Sequence, residues 1–439
     1  MFNRSLISLI LTFLSLPLWA QSPYVLNELL DKALKENLNI KIRYQGQDLF
    51  DEQVKEVKNN FLPTIDLNGT HQYYFDIPTQ VAPASAFGGG EGGGYLPLSF
   101  GLPHQTNLSL QLQQVLYNPQ LPVGIKAAQT GRDIAELQLH QTKEEVVYQV
   151  SSTYYNAQSV AERMKLLEQN IQSLERLIKI TDLLRQNDLA KSTDVERLQL
   201  NQASLSNQIA NLKVTYQQLL NHLRLLTNTP MTSPFAIDTH IDMEQEKNIP
   251  FIIADSVQRT DVALAQKQFE VQQLEEKQIQ AGYLPSLYAV GVYGQSGFGE
   301  LDEDYYEFFP MSYVGLQLSV PIFDGLSKKS QRSQKRIQQS QTQNQISLLE
   351  QQVQSEISNA LASMQTQRRA VEIQQRALKL AEKVYQNMQL QYKEGISGVS
   401  DLIDSENELR QVQSDYLNAW VQLKLAELEI RHATGNLIE

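Results

Sequence analysis

The sequence contains no cysteine among its 439 residues. This absence excludes disulfide bonds, thiolate metal sites, a cysteine nucleophile and a lipid-modified N-terminal cysteine. The net charge is −12 at pH 7, and no basic stripe with interleaved aromatic side chains is present, so nucleic-acid binding is not predicted. A charged fraction of 20% and a mean hydropathy of −0.36 leave too little apolar content for several thick cores. The chain is therefore not predicted to be an array of ordinary globular domains.

Motifs of enzyme active sites are also missing. The histidines are scattered, without His-x-x-x-His or Glu-x-x-His spacing, and neither a nucleophile elbow nor a dinucleotide-binding fingerprint occurs. The glycine run GGGEGGG from Gly88 is not a phosphate loop, because no Gly-Lys-Ser/Thr follows it. It is typical of a flexible loop tip. We predict a protein that is not an enzyme and has no cofactor and no metal site.

One apolar run stands out, and it lies at the N-terminus. A short positive stretch ends at Arg4, Leu6 to Leu18 are apolar, and Ala20 precedes a change to polar sequence. The run is too short to span a bilayer, so residues 1–20 are predicted to be a signal peptide that directs export. No later stretch reaches about 18 consecutive apolar residues, so no transmembrane helix is predicted in the mature chain.

Proline and glycine are sparse over one long stretch that reads as helix. After Pro122 no further proline occurs before Arg185, and a helix of that span would approach about 100 Å. Apolar residues also recur every seven positions, which predicts coiled-coil packing. The first row is Leu198, Leu205, Leu212, Leu219 and Leu226, and the second is Leu402, Leu409, Tyr416, Leu423 and Ile430.

The chain repeats itself once. FLPTIDLNG from Phe61 matches YLPSLYAVG from Tyr283, and NDLAKSTDVERL from Asn187 matches EGISGVSDLIDS from Glu394, 207 residues later. We predict a first repeat over residues 21–230, a linker over 231–252 and a second repeat over 253–439. Each repeat is predicted to contain a helix, a pair of strands and a pair of long helices.

The four predicted strands cover about 64–76, 105–116, 286–296 and 312–321, and apolar and polar residues alternate along them. About ten residues is the length of a strand in a membrane barrel. Two registers remain open for the third strand: the repeat places Leu287, Ala289 and Gly291 outward, whereas hydrophobicity favours Tyr288, Val290 and Val292. Four strands cannot close a barrel alone. Two, three or four chains would supply eight, twelve or sixteen strands, and the sequence pattern does not distinguish among these numbers of chains.

Several motifs in order give the chain a resemblance to the TolC family of outer-membrane efflux proteins. LNELLDKALKENLNI from Leu26 resembles the first helix of the family, and RTDVALAQ from Arg259 resembles the opening of its second half. LPS at Leu284 and VPIFDG at Val320 resemble the motifs at which strands begin and end, and YKEGISGVSDLID from Tyr392 resembles the periplasmic tip. The resemblance covers nearly the whole mature chain.

The resemblance implies an α+β membrane protein in two tandem structural repeats. Three copies, each with four strands, would form a 12-stranded barrel in the cell outer membrane, continued by a long α-helical coiled-coil barrel in the periplasm. The implied partners are outer-membrane lipid, a periplasmic adaptor (membrane fusion protein) and an inner-membrane transporter. The implied function is a passive exit duct of a tripartite efflux system for small toxic compounds.

Other functions remain open on the sequence. The same architecture serves as the outer-membrane component of type I protein secretion. A structural or adhesive coiled-coil protein anchored by a barrel would also fit the pattern, and so would a soluble coiled-coil protein.

Two aspartates form the first candidate site. Asp401 and Asp404 are three residues apart and share one face at the start of the last long helix. A structural interpretation makes Asp401 an N-cap and places Asp404 in the favourable first turn. The resemblance implies instead an entrance and selectivity ring of six carboxylates, two from each of three chains. The two roles are compatible.

The resemblance also implies gate contacts at Asp194, Tyr392 and Ser397. Ser397 departs from the family, in which an arginine at this position pairs with the aspartate, so the closed entrance must be held differently. A capping box of Thr193 with Glu196 is the structural alternative for Asp194.

The two tips are the third candidate site. The resemblance implies that they dock the adaptor, through the residues Asp188, Leu189, Gly395, Ile396 and Gly398. Asp188 replaces the usual glycine of the first tip, and an aspartate tolerates left-handed backbone better than most residues.

Overall fold

The computed structural model describes residues 23–87, 94–241, 259–300 and 305–438. The predicted signal peptide, most of the Gly-rich loop and the second half of the predicted linker lie outside these ranges. The helices are α1 (Leu26–Glu36), α2 (Leu38–Asn59), α3 (Gln120–Gln186), α4 (Ser192–Leu226), α5 (Thr260–Ala281), α6 (Ser327–Lys393) and α7 (Val399–Thr434). The strands are β1 (Thr64–Tyr73), β2 (Thr79–Pro83), β3 (Tyr95–Ser99), β4 (His104–Tyr117), β5 (Ser286–Glu300) and β6 (Tyr305–Ser319). Among the described helices, none has both the length and the apolar content needed to cross a membrane.

The chain divides into two compact units. The sheet unit comprises Gly46–Ala135 and Ala265–Gln345, and the rest of the described chain forms the helical unit. Each unit therefore contains segments of both predicted repeats. The repeat describes the order of elements along the chain. In the folded chain, each compact unit combines the matching segments of the first and second repeats.

The sheet unit contains a four-stranded antiparallel sheet in the order β1-β4-β5-β6. Side chains directly opposite each other on neighbouring strands lie on the same face. Gly291 of β5 is opposite Leu112 of β4 and also opposite Val314 of β6. The outward register taken from the repeat is therefore correct, and Leu287 and Ala289 share the face of Gly291. Val290 and its alternating neighbours lie on the other face, so local hydrophobicity favoured the wrong side.

Two strand boundaries differ from the sequence prediction. β5 continues to Glu300 and β6 begins at Tyr305, whereas the sequence predicted that these strands end at about 296 and begin at about 312. Aromatic contacts accompany the extra pairing: the ring centroids of Phe298 and Phe309 are 6.1 Å apart. The predicted loop between β1 and β4 likewise contains a short hairpin, β2–β3. Cross-strand aromatic pairs stabilise a sheet, and the sequence pattern did not reveal them.

One face of this sheet is apolar and uncovered in the single chain. Its members include Ile65, Leu67, Leu110, Leu112, Val314, Leu316 and Leu318, and Val314 is 88% exposed. Within the described ranges, β1 and β6 each pair on one side only. An exposed apolar face between two free edges is a surface on which a soluble monomer would aggregate.

Beside the sheet, α5 and α6 are joined by a charged cluster. Glu276 on α5 accepts hydrogen bonds from Arg332 Nε at 2.9 Å, from Arg336 Nε at 3.0 Å and from Gln339 Nε2 at 3.2 Å. The bond from Arg332, with these further donors, lowers the pKa of Glu276 to about 2. The carboxylate therefore stays ionised and holds two helices of the sheet unit together.

The helical unit buries the predicted heptads. Leu198 and Leu205 on α4 are fully buried and Leu226 is buried, whereas Leu212 and Leu219 are only partly buried. Every member of the second row on α7 is buried. Thr260 of α5 donates its Oγ1 hydrogen to Glu144 Oε1 of α3 at 3.0 Å. This bond supplies the buried Glu144 with a partner from α5.

Candidate functional site

Two turns of the helical unit, between α3 and α4 and between α6 and α7, share one backbone design. The Leu189 N–H donates to the Leu184 carbonyl at 2.8 Å, and the Ile396 N–H donates to the Gln391 carbonyl at 2.8 Å. This pattern is the Schellman motif that ends many helices. It requires a left-handed residue just before the donor, and Asp188 at φ +60° and Gly395 at φ +72° supply it. Sequences that differ thus form the same tip 207 residues apart.

Both tips expose an apolar side chain. Leu189 and Ile396 are each 74% exposed. In a Schellman motif this position usually packs back onto its own helix. Two uncovered apolar tips with matching backbones are suited to contact with another protein.

The aspartates at the start of α4 and α7 stabilise helix N-termini. Asp194 Oδ2 accepts the Lys191 N–H at 3.3 Å, and Asp401 Oδ2 accepts the Gly398 N–H at 3.1 Å. The N-caps are therefore Lys191 and Gly398, with the aspartates three residues later. This corrects the expectation that Asp401 is itself the N-cap. The Thr193–Glu196 capping box is likewise absent, because α4 begins at Ser192, earlier than that box requires.

Asp401 and Asp404 are both exposed at the surface of the chain. The capping bond uses one oxygen of Asp401. In the described part of the chain Asp404 has neither an ion pair nor a hydrogen bond from its side chain. The pair therefore presents carboxylate oxygens that remain available to solvent or ions. Helix stabilisation by Asp401 is thus compatible with a second role for the exposed oxygens.

The three residues considered as gate contacts do not bond to one another among the described residues. Tyr392 is buried, and its hydroxyl lies 2.9 Å from Thr181 Oγ1 of α3. Asp194 caps its own helix, as described above. The Ser397 hydroxyl is buried and has no hydrogen-bond partner within the described chain. The contact expected from an arginine at that position is not replaced by the serine.

Two other contacts join α4 to α7, and the sequence analysis missed both. Arg197 Nη1 donates to Ser400 Oγ at 2.5 Å. Six residues further along α7, Glu406 Oε2 accepts from Asn201 Nδ2 at 2.9 Å. We call these two bonds the α4–α7 latch. A guanidinium thus does reach the start of α7, but it comes from the first repeat.

A signal for part of the latch was present in the sequence. Glu406 lies four residues after Leu402 and three before Leu409, so it falls on the apolar stripe of α7. It is only 2% exposed, and its second oxygen has no partner among the described residues. Burial raises the pKa of Glu406, opposed by nearby Arg410 and by the bond from Asn201. A carboxylate on a heptad stripe marks a helix contact that is polar.

Known proteins resemble this chain in sequence. The sequence profile of the family described as "Outer membrane efflux protein" matches residues 29–229 and 255–436. Nodulation protein T of Rhizobium leguminosarum bv. trifolii is 21% identical over 430 residues, which cover 94% of this chain and 86% of that protein.

Solved structures share the fold at low identity. The outer membrane protein VceC from Vibrio cholerae superposes with a TM-score of 0.74 at 16% identity, covering 93% of this chain and 96% of that one. The open state of the Neisseria gonorrhoeae MtrE outer membrane channel gives a TM-score of 0.73 at 19% identity, covering 94% and 89%. The family profile spans most of the chain on both sides of one gap, and this chain therefore belongs to the outer membrane efflux protein family.

Proposed function

We propose that the protein is the passive outer-membrane exit duct of a tripartite efflux system. The observation that carries the proposal is the four-stranded sheet with an exposed apolar face and two free edges. Bilayer hydrocarbon covers such a face, and further copies pair such edges. Three copies give twelve strands in a closed barrel, which leaves no backbone group unpaired in lipid.

The long helices of three copies would form a periplasmic tunnel. Their heptads pack helices together within each chain, as coiled-coil barrels require. Leu198 and Leu205 of α4 share an apolar cluster with residues of α3 and with Leu402, whereas Leu423 and Ile430 of α7 lie in a cluster with residues of α6. The Asp401 and Asp404 carboxylates of three copies would form a ring of six charges at the entrance. Such a ring attracts cations and disfavours anions. The capping role of Asp401 supports this reading, because it fixes the carboxylate at a helix end.

The exposed tips would dock a periplasmic adaptor. Leu189 and Ile396 supply apolar contacts, while Asp188, Gly395 and Gly398 shape the backbone that presents them. The adaptor would connect the duct to an inner-membrane transporter, which supplies the energy. The duct itself performs no chemistry in this proposal.

The closed entrance would be held by the α4–α7 latch. Arg197 takes the part that an arginine at position 397 plays in the family, and it acts on Ser400 rather than on an aspartate. The buried bond between Asn201 and Glu406 supports it from inside the helix pair. Tyr392 fixes the second tip to α3 through Thr181.

The test is ion conductance of the purified protein in a planar bilayer. We compare the wild type with Asp401→Asn/Asp404→Asn, because asparagine keeps an oxygen for the capping bond and removes the charge. Glu136→Gln/Glu168→Gln removes two exposed carboxylates from α3 instead and serves as the matched control. We expect small cation-selective currents, with selectivity lost only in the aspartate variant.

The other outcomes are equally informative. Selectivity that is unchanged in the aspartate variant would support the duct but not the carboxylate ring. Asp401 and Asp404 would then serve only to stabilise their helix. A folded trimer without any current would contradict the duct and favour a structural or adhesive role.

A further inference from the structure

A small polar cavity lies between α3, α4 and α7 in the helical unit. Its volume is about 250 Å³. Two arginines line it, Arg163 from α3 and Arg410 from α7, together with Gln208 of α4 and Asn407 and Ser414 of α7. Buried Leu417 forms part of the apolar lining. The cavity thus brings two positive charges from separate helices to one half-open space.

No carboxylate is among the residues that line this cavity. The acidic neighbours of the two arginines have other partners. Glu162, beside Arg163, accepts from Lys165 Nζ at 3.1 Å. Glu406, one turn before Arg410, accepts from Asn201 and offsets part of the Arg410 charge without bonding to it. Neither arginine is therefore paired directly with a carboxylate, and neither guanidinium loses its proton.

Donor groups at the cavity are unused. Arg410 donates from Nη2 to Asn407 Oδ1, but its Nε is buried and has no acceptor in the described chain. Arg163 is half-buried and forms no ion pair within the described ranges. A bound oxyanion would accept from the unpaired guanidinium of Arg163 and from the terminal nitrogens of Arg410, since the buried Arg410 Nε is closed to a ligand.

The chemistry of the lining selects the ligand. The guanidinium edge presents parallel N–H groups that match the oxygens of a carboxylate, sulfate or phosphate. The amide groups of Gln208 and Asn407 and the Ser414 hydroxyl add neutral donors. The cavity exceeds the roughly 30 Å³ that one water occupies in the liquid and is smaller than the 300–1,000 Å³ typical of drug-sized pockets.

We propose that this cavity is a binding site for one small oxyanion, held between Arg163 and Arg410. The bound anion would connect α3 to α7 through two charge-assisted contacts. The site is separate from the Asp401/Asp404 pair, and its existence does not depend on the function proposed above.

The experiment is a calorimetric titration of the purified full-length protein with sodium sulfate, at ionic strength held constant with sodium chloride. The variants are Arg163→Gln and Arg410→Gln. Arg176→Gln is the matched control, because it removes an exposed α3 arginine whose bond is to Ser173 of the same helix. We expect saturable binding in the wild type and the control, and binding at least about tenfold weaker in either cavity variant.

A parallel titration with sodium acetate separates two sources of the same chemistry. Tighter sulfate binding identifies an inorganic oxyanion, and tighter acetate binding identifies a carboxylate group. Circular dichroism of each variant confirms folding, and the half-buried Arg163 provides a second variant if Arg410→Gln does not fold. Absence of saturable binding in the wild type, or equal binding in all four proteins, overturns the proposal.

Discussion

The replacement Arg197→Ala tests the α4–α7 latch directly. It removes the guanidinium that bonds Ser400 Oγ at 2.5 Å and leaves the buried bond between Asn201 and Glu406 in place. Both Arg197 and Ser400 are exposed, so the truncation creates no core cavity. Its effect should therefore appear in the closed-to-open equilibrium of the tips and much less in overall stability.

The size of the effect follows from the contact. A hydrogen bond from a charged group is worth up to about 3 kcal/mol, but exposure to water reduces this to about 1 kcal/mol. One kcal/mol changes an equilibrium ratio about fivefold. If three copies open together, the three contributions add and the open fraction rises about a hundredfold, provided that the closed state dominates in the wild type.

The assay is open probability in single-channel recordings from planar bilayers. Ser400→Ala removes the acceptor and should raise open probability as much as Arg197→Ala does. The double variant should exceed neither, because both changes remove the same bond. Arg176→Ala is the control, since among the described residues that exposed arginine bonds only to its own helix.

The latch is refuted by an open probability that stays at the wild-type value in both single variants. It is refuted equally by additive effects of the two changes. Additivity would mean that each residue acts through a different partner.

Three further predictions concern stability. Glu406 has a raised pKa in the folded chain, so its contribution to the free energy of unfolding is complete below pH 4.5. That contribution is lost as the pH rises through the pKa of the folded state. In thermal melts, the melting temperature of Glu406→Gln relative to the wild type should therefore increase as pH rises. A difference in melting temperature that does not depend on pH would contradict this. Glu276 has a pKa of about 2, so Glu276→Gln should cost about 1 kcal/mol at pH 7, after allowance for solvent screening. That cost should vanish in acid melts as pH falls from 4.5 to about 2, and a constant cost would mean lost packing. Gly395→Ala should destabilise by about 1 kcal/mol and Asp188→Gly should not, because both positions are left-handed; equal losses in chemical denaturation would refute the strain argument.

Much of the fold could be read from local pattern. The heptads of α4 and α7 predicted which residues are buried, because helix geometry alone brings every seventh residue to one face. The repeat also predicted the outward face of β5, where local hydrophobicity pointed the other way. The spacing of Asp401 and Asp404 placed both on one face for the same geometric reason.

The latch and the cavity depended on tertiary structure. Arg197 and Ser400 are 203 residues apart, and Asn201 and Glu406 are 205 apart. No local periodicity relates such residues, because their contact depends on how α4 packs against α7. The cavity similarly requires three helices to place two arginines around one space. Side-chain direction along an element is a local property of the backbone, so the sequence determined it for α4 and α7. For β5 the sequence left two registers open, and the pairing with β4 and β6 decided between them. Partner choice between elements is decided by the packing of the whole chain, and only the tertiary structure determined it.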